Sequence, residues 1–360
     1  MRSMKAEPRD SAARAAAAVL AAAIGGDQEA FRNLAEPYTR ELHLHCYRLL
    51  GSFHDAEDAV QETLIRAWRH LATFEERSSL RAWLYRIATN VCLTQRRRRP
   101  DEQPPVPNVL AEALARSTEP AVNLSPYPDA LLDEIEATSG DPAAEYDLRE
   151  SVQLAFLAVV QLLPPRQRAV LILRDVVGFS AAEVAQILDS TTASVNSAHH
   201  RARVTLDQQR AAGRLQSGRV VPAEAVEHAI VRRYIEAWQA MDTDKLVGLL
   251  RNDVVMTMPP LPLRLSGREE VRPFLASRPA DTRPDEFRVL PTRANRQPAV
   301  VTYRFDPDND TYRPVNICVL TLDGDAIAEI TAFRDPTLVS ILGLPAELPR
   351  AQFGGPSVSI

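Results

Sequence analysis

The sequence predicts a multidomain fold with two all-α modules followed by one α+β domain. At 360 residues the chain is longer than one average domain. Residues 27–99 and 148–212 repeat apolar residues at helical spacing, whereas short runs beyond Pro222 alternate apolar and polar residues as strands do. An acidic, proline-rich stretch separates the two helical modules.

The bulk composition is that of a folded protein, with a net charge of −5, 45% hydrophobic residues and 25% charged residues. No apolar run reaches the roughly 18 residues of a membrane span. Residues 1–26 are alanine-rich after Glu7 and Asp10, so we expect a disordered or helical leader instead of a signal peptide, and a cytoplasmic protein. Three cysteines lack metal-ligand or disulfide spacing and are expected to be buried thiols in a reducing compartment: Cys46, Cys92 and Cys318.

The first module, residues 27–99, is predicted to contain three helices. Gly51 ends the first, Asp55 is the expected cap of the second, and the third begins near Ser78 or Ser79. Their apolar stripes have the spacing of one helix face: Phe31, Leu34, Tyr38, Leu42 and Cys46; Val60, Leu64, Ala67, Trp68 and Leu71; and Leu80, Trp83, Leu84, Ile87 and Val91.

Two charged segments of this module are candidates for binding. The stretch from Arg77 to Arg99 holds seven arginines and no acid, together with Trp83 and Tyr85. Arginines neutralise phosphates and aromatic rings stack on unpaired bases, so the pattern suits a melted DNA strand; the alternative is a solvated cationic helix with both aromatics in the core. Residues 55–62 are acidic with interleaved apolar residues, which indicates either a well-capped helix N-terminus or a protein-docking face.

Residues 100–147 are predicted to be a linker. They contain eight prolines, eleven acidic residues and one basic residue, Arg116, for a local charge of −10 (1 − 11). Such a composition buries too little apolar surface to offset the entropy of ordering. The linker is either an inert tether or an acidic strand that mimics nucleic acid against a basic channel.

The second module, residues 148–212, has the pattern of a helix-turn-helix motif. A helix over residues 152–163 is stopped by the proline pair that follows it. Ser180 and Glu183 form a capping-box pattern that opens a short helix, and a polar turn at residues 189–191 leads into the last helix. Two short helices around a tight turn, after a supporting helix, are typical of this motif.

A short linker at residues 213–221 leads into an α+β domain at residues 222–345, followed by a tail at residues 346–360. Two helices come first, the second of them capped by Asp242, and short alternating strands follow. The Asp-Gly pair at residues 323–324 indicates a hairpin between the last two strands.

Residues 54–63, Phe74 and residues 78–90, in this order and at this spacing, resemble region 2 of the extracytoplasmic-function (ECF) sigma-70 family. The resemblance implies that the acidic helix docks on the coiled coil of the polymerase β′ subunit, and that the following loop and helix recognise and melt the −10 promoter element. It assigns the docking role to Asp55, Glu57, Asp58, Gln61 and Glu62. It assigns −10 DNA contact or its support to Phe74, Arg77, Ser78, Arg81, Trp83, Tyr85, Arg86, Asn90, Arg96 and Arg97.

Residues 162–171 and 191–203 resemble region 4 of the same family, which packs on the polymerase β flap and reads the −35 element. A helix here would place short polar side chains near base edges and arginines near phosphates. Asn196 and Ala198 stand where the family commonly has basic residues, which predicts weak affinity for the −35 element, partly compensated by His199 and His200. The −35 residues are Thr192, Ser194, Asn196, Ser197, His200, Arg201 and Arg203.

The C-terminal element order resembles the SnoaL-like branch of the nuclear transport factor 2-like fold, a cone-shaped α+β domain that some ECF sigma factors carry after region 4. Enzymes of this fold use polar groups inside the cone, often an Asp with a His. The only histidine beyond residue 200 is His228, so no catalytic residue is predicted. Tyr303, Glu329 and Asp335 are candidates to line a pocket. A regulatory or ligand-sensing role is favoured, and the alternative is a packed structural domain.

The combined pattern predicts a sigma factor that binds core RNA polymerase and directs promoter-specific initiation, without chemistry of its own. The resemblance implies that the linker threads the polymerase channels. The predicted partners are core polymerase and promoter DNA, with an anti-sigma factor or a small ligand at the C-terminal domain left open; no cofactor, metal or membrane is expected. A polymerase-independent helix-turn-helix regulator with a ligand-sensing domain would leave the acidic helix unexplained. A cyclase-type enzyme would need a polar pocket in the cone.

Overall fold

The structure is a computed structural model that describes residues 18–74, 79–95, 112, 114, 115, 117, 120–139, 149–215, 219–276 and 283–350. The chain forms two compact units. One unit combines residues 1–97 with residues 163–204, and the other combines residues 98–162 with residues 205–360. The predicted second helical module, residues 148–212, is therefore divided between the two units.

The secondary structure follows the predicted order of helical and mixed segments. The helices are α1 (Gln28–Leu50), α2 (Phe53–His70), α3 (Leu80–Thr94), α4 (Asp129–Ser139), α5 (Leu154–Leu162), α6 (Pro165–Leu171), α7 (Ala181–Ile187), α8 (Thr192–Ala211), α9 (Glu224–Gln239), α10 (Thr243–Gly248) and α11 (Arg268–Ala276). The strands are β1 (Leu250–Thr257), β2 (Arg264–Ser266), β3 (Phe287–Ala294), β4 (Gln297–Asp306), β5 (Thr311–Asp323), β6 (Ala326–Phe333) and β7 (Leu348–Pro349).

In the first unit, α1, α2 and α3 pack into a bundle whose helix ends follow local capping rules. Gly51 ends α1 at φ 79° and Ser79 caps α3, as predicted. The predicted cap at Asp55 is wrong, because Ser52 caps α2 by accepting a hydrogen bond from the Asp55 N–H at 3.2 Å. Asp55 itself lies within the first helical turn.

Residues 18–24 are helical, and Ala23 packs with Ala30 and Leu71 beside this bundle. The helical alternative for the leader thus holds over these seven residues, whereas residues 1–17 lie outside the described part of the chain. Among the described residues, no helix is both long and apolar enough to cross a membrane.

The helix-turn-helix of the first unit consists of α6, a π-helical turn at Ile172–Val176, α7 and α8. The predicted capping box is present, with Ser180 and Glu183 each accepting a backbone hydrogen bond from the other. Arg168 joins this motif to the bundle, since its buried Nη1 donates to the Leu49 carbonyl at 2.6 Å. A cation at the C-terminus of α1 also complements the negative end of the helix dipole.

In the second unit, the strands form one sheet in the order β2-β1-β6-β5-β4-β3, with β7 added to β5. All neighbours are antiparallel except β1 and β6, which run parallel. Gly324, at φ +62°, lies in the predicted hairpin between β5 and β6.

Helices α9, α10 and α11 cover one face of this sheet. Met256, Ile330 and Leu320 lie on neighbouring strands of that face and are at most 2% exposed, and Tyr234 and Leu246 pack on them from the helices. Alternating strand residues meet a helical apolar stripe, which is the usual way to bury a core between these layers. The interior of the cone is therefore filled with apolar side chains.

Part of the predicted linker packs in this unit too. Leu124, Tyr127 and Leu132 are buried, and Pro128 makes a β-bridge to Ala294. The expectation that residues 100–147 lack structure throughout is therefore wrong for residues 124–132. The expectation was based on the average composition of residues 100–147, which does not reveal a short apolar stretch within them. This stretch is buried because it packs on a sheet that is distant in sequence.

Candidate nucleic-acid interface

The predicted docking residues lie on the first half of α2. Glu57 and Gln61 are exposed one turn apart, and Asp58 and Glu62 form a neighbouring half-exposed row. Asp55 is only 7% exposed, so little of its surface is accessible in this conformation, and its docking role stays a prediction. Its position in the first turn suits the positive end of the helix dipole.

Helix α3 exposes fewer of the predicted −10 residues than expected. Tyr85 is 2% exposed, its ring packs edge-on against Phe179 with centroids 5.2 Å apart, and its hydroxyl donates to Glu41 at 3.3 Å. Burial raises the pKa of the Tyr85 hydroxyl above its usual value. In this structure the Tyr85 ring is a core group between the bundle and the helix-turn-helix, so it supports α3 from inside, and a direct DNA contact by Tyr85 stays a prediction.

Arg81 is engaged in the same contact. Its Nε donates to Glu41 at 3.0 Å, and its guanidinium lies 4.9 Å from the ring centre of Tyr85 and 5.2 Å from that of Phe179. The guanidinium is thus engaged by one carboxylate and two aromatic rings, while the Arg81 side chain remains 37% exposed. Arg81 thus has a structural role in this arrangement.

Three other predicted −10 residues share one open face of α3. Trp83, Arg86 and Asn90 line a groove of about 900 Å³, and Arg86 and Asn90 are exposed. Phe74 supports this face, with its ring centre 5.3 Å from that of Trp83. The groove therefore offers an aromatic ring, a cation and an amide to one strand of nucleic acid. Four predicted residues lie outside the described residues: Arg77, Ser78, Arg96 and Arg97.

The same groove contains two basic residues that the sequence analysis missed. Arg66 and His70 lie one turn apart on α2, and Arg66 donates to Glu62 at 2.6 Å. Their i, i+4 spacing at the end of a helix was a usable signal. Glu183 of α7 lines the opposite side, and its hydrogen bond from Ser180 lowers its pKa.

Helix α8 presents a continuous polar face. Its opposite side buries Val195, Ala198, Ala202 and Leu206 at helical spacing against the motif. The predicted −35 residues are all exposed, namely Thr192, Ser194, Asn196, Ser197, His200, Arg201 and Arg203. The short polar side chains and arginines of this exposed face are of the types that contact a major groove.

The two adjacent histidines of α8 have different surroundings. His199 Nε2 lies 2.7 Å from Asp175 Oδ1, and Arg203 Nε lies 3.4 Å from the other oxygen of that carboxylate. His200 points to solvent. Of the two, His200 is the one exposed on the predicted DNA face, whereas the His199 ring lies against Asp175.

Sequence reasoning missed two buried histidines of α1: His45 packs against α3, and His43 packs against Phe53 of α2. His45 is fully buried with Nε2 2.9 Å from Thr89 Oγ1, and burial, reinforced by Arg48 and Arg81, lowers its pKa to about 3. Burial, reinforced by Arg40, lowers the pKa of His43 to about 4. Both side chains are therefore neutral core groups at physiological pH.

The three candidate pocket residues of the C-terminal domain do not converge. The Tyr303 hydroxyl donates to the Pro345 carbonyl at 2.8 Å, and burial raises its pKa to about 12. Asp335 caps the short helix Pro336–Leu338. Glu329 lies 3.4 Å from Arg219 and lines a cavity of about 80 Å³, which is smaller than the roughly 150 Å³ that accommodates benzene.

Three segments of the chain match known protein families. Residues 34–100 match the Sigma-70 region 2 family, residues 153–206 match the Sigma-70, region 4 family, and residues 231–330 match the SnoaL-like domain family. Over 324 residues the chain is 40% identical to the ECF RNA polymerase sigma factor SigG of Mycobacterium tuberculosis, covering 87% of this chain and 83% of that protein.

Two further comparisons bear on the helical part and on the fold. The chain is 30% identical over 184 residues to the ECF RNA polymerase sigma factor SigW of Bacillus subtilis, covering 51% of this chain and 90% of that protein. The crystal structure of the Mycobacterium tuberculosis ECF sigma factor SigJ matches with a TM-score of 0.54 at 22% identity, covering 87% of this chain and 99% of that one. That likeness shows a shared fold.

Proposed function

The chain belongs to the extracytoplasmic-function family of RNA polymerase sigma factors, and we propose from that premise how its parts divide the work. As a member of this family it associates with RNA polymerase and directs promoter-specific initiation of transcription. In our proposal the exposed acidic row of α2 docks on the β′ coiled coil. The groove beside α3 holds the melted −10 strand, and α8 reads the −35 element. The protein acts in the cytoplasm, where it meets RNA polymerase.

The observation that carries the proposal is the exposed face of α8. All seven assigned residues point to solvent while the opposite stripe of the helix is buried in the helix-turn-helix. Short polar side chains on such a face hydrogen-bond base edges, and the arginines at its end neutralise phosphates. This arrangement supports duplex reading by region 4.

Run-off transcription with purified core polymerase tests this division. The double variant Asn196→Ala/Ser197→Ala is expected to lower transcription about tenfold from a promoter with an intact −35 element, because each lost base contact weakens discrimination. The same variant should match wild type on a promoter whose −35 element is scrambled. Asp207→Ala/Gln208→Ala, at exposed positions farther along α8, is the matched control.

Equal losses on both promoters would contradict the assignment of α8 to the −35 element. Gel shifts on duplex DNA without polymerase address the rival function. Tight, sequence-specific binding by the isolated protein would favour a polymerase-independent regulator.

For the C-terminal domain we propose a modulating role without catalysis. The apolar filling of the cone and the separation of Tyr303, Glu329 and Asp335 favour a packed scaffold over an enzyme or a ligand sensor. A truncation ending at Gly213 is expected to transcribe differently from the full chain on the same promoter. Equal promoter-specific activity of the two forms would contradict a modulating role.

A further inference from the structure

The hairpin between β3 and β4 has a tight two-residue turn in which both residues have a positive φ. Asn295 and Arg296 both have φ +57°, and Ala294 pairs with Gln297 across them. This is a two-residue turn of the type that suits the twist of antiparallel strands. Asparagine tolerates the left-handed region better than most residues, so the turn itself explains an asparagine at this position.

The turn does not explain what the Asn295 side chain does. Its Oδ1 accepts a hydrogen bond from the Tyr127 N–H at 2.8 Å, and its Nδ2 donates to the Val152 carbonyl at 2.7 Å. The Asn295 N–H also donates to the Tyr127 carbonyl at 2.9 Å. All three residues are fully buried. One side-chain amide thus joins two segments that lie 25 positions apart (152 − 127).

Charged groups reinforce the first of these segments. The Arg296 N–H donates to Asp129 Oδ1 at 2.8 Å, and the Arg293 Nε lies 3.4 Å from Asp129 Oδ2. The Arg296 guanidinium pairs with Asp133 one turn later in α4. Two acidic residues of the linker therefore meet two arginines of the hairpin.

A second amide holds the start of α5. Gln297 Oε1 accepts from the Leu154 N–H at 3.5 Å, and its Nε2 donates to Thr321 Oγ1 at 2.7 Å, which ties it to the sheet. Leu154 is the first residue of α5 and lies within the segment that matches Sigma-70 region 4. The hairpin thus holds the first helix of region 4 by its N-terminus.

Helix α5 needs such a partner because it is apolar on all sides. Leu154, Leu157, Val159 and Val160 are at most 2% exposed, although they point in different directions around the helix. One side of α5 lines the cavity against the C-terminal sheet, with these residues: Leu154, Ala155, Ala158, Val159 and Leu162. Without the sheet that side would be exposed to water.

We propose that residues 293–297, the hairpin clasp, form an intramolecular docking site through which the C-terminal domain positions the first helix of region 4 and the linker. Asn295 is the central positioning residue. The clasp supports −35 recognition because α5 opens the segment that matches region 4 and leads directly along the chain into α6. This inference rests on the proposed function, since it requires region 4 to read the −35 element.

The test is Asn295→Gly in the full chain. Glycine keeps the positive φ and the backbone N–H, so the turn survives, but the buried Tyr127 N–H and Val152 carbonyl each lose their partner in the Asn295 side chain. Hydrogen exchange in residues 120–135 and 149–162 is expected to accelerate roughly tenfold. Transcription from a −35-dependent promoter should fall severalfold, with little change on a promoter whose −35 element is scrambled.

Asp310→Gly is the matched control. Asp310 also has a positive φ, +50°, in the neighbouring β4–β5 hairpin, and its ion pair with Arg350 is exposed. This variant should leave both segments and both promoters unchanged. If Asn295→Gly does not fold, Arg296→Gly, which removes the pair with Asp133 at another positive-φ position, should give a smaller effect in the same direction.

The outcomes separate the claims. Unchanged exchange in both segments would overturn the clasp itself. Faster exchange with unchanged or increased −35-dependent transcription would overturn its supporting role, while leaving the proposed function intact. Failure of the wild-type chain to initiate at any promoter with core polymerase would instead overturn the proposed function.

Discussion

Helices α3 and α8 both carry residues assigned to promoter DNA, but they expose them to different extents. In α8 one apolar stripe faces the motif, and every assigned residue is exposed. In α3 the buried residues surround most of the helix: Ala82, Leu84, Tyr85, Ala88, Thr89, Val91 and Cys92. A helix that also completes a bundle core keeps only a narrow face for DNA.

The difference narrows the candidate −10 surface to residues that are exposed on one face of α3. Trp83, Arg86 and Asn90 are spaced three and four residues apart, so they share one face of α3. Arg66 and His70 of α2 extend the same groove. Residue type and the family resemblance had placed Arg81 and Tyr85 with them, whereas Glu41 and Phe179 contact both of these side chains.

The largest expected effect separates a structural from a DNA-facing residue on α3. Tyr85→Ala should lower the free energy of unfolding by about 3–5 kcal/mol, as for other buried aromatics. Arg86→Ala, one position later but exposed, should leave the Tm unchanged while reducing transcription. Thermal unfolding of both variants checks this, and similar Tm values would show that Tyr85 is not a core residue.

The second prediction concerns pH and the histidines. The folded pKa values of His45 and His43, about 3 and about 4, lie below the ordinary value of 6.5. At a pH between the folded and the ordinary pKa, the unfolded chain therefore binds more protons than the folded chain does. Stability is fully present above pH 6.5 and declines as the pH falls toward these values. At pH 5 each histidine should reduce the free energy of unfolding by about 2 kcal/mol.

Denaturant unfolding at pH 7.5 and pH 5 checks this decline. His45→Gln should remove about half of it, because glutamine can bond Thr89 without acquiring a charge. His200→Gln, on the exposed face of α8, should leave the pH dependence unchanged. An identical pH profile for wild type and His45→Gln would contradict the assigned neutral state.

A smaller effect is expected when the ion pair between Arg81 and Glu41 is removed. Glu41→Gln should lower stability by about 1 kcal/mol, since the pair is partly buried. It should also free Arg81 for phosphate and steepen the salt dependence of single-stranded −10 binding by roughly 0.7 in log–log slope. An unchanged slope would show that Phe179 alone is enough to hold Arg81.

The smallest effect is expected for one phosphate contact on α8. Arg201→Gln should reduce the salt dependence of duplex promoter binding by about 0.9 in log–log slope without changing the Tm. Arg210→Gln is the control, because Arg210 pairs with Asp207 in the last turn of the same helix. Equal slopes for the two variants would place Arg201 outside the DNA interface.

Much of the architecture was predictable because it depends on local patterns. The capping box at Ser180, the cap at Asp242 and the hairpin at Gly324 are signals within a few residues of the structures they specify. The sequence analysis had placed Ala198 beside Asn196 on the DNA-facing side of α8, whereas the structure buries Ala198 in one stripe with Val195 and Ala202. A local period of 3.6 residues indicates which side of a helix is buried.

The sequence by itself thus determined the order of the helical and mixed segments and several helix ends, such as those at Gly51, Ser79 and Ser180. The tertiary structure alone decided which distant segment covers each buried side. Phe179 lies 94 positions from Tyr85 (179 − 85), and Asn295 lies 143 positions from Val152. Periodicity shows that a face needs cover but carries no information about the partner, because that choice depends on the packing of the whole chain.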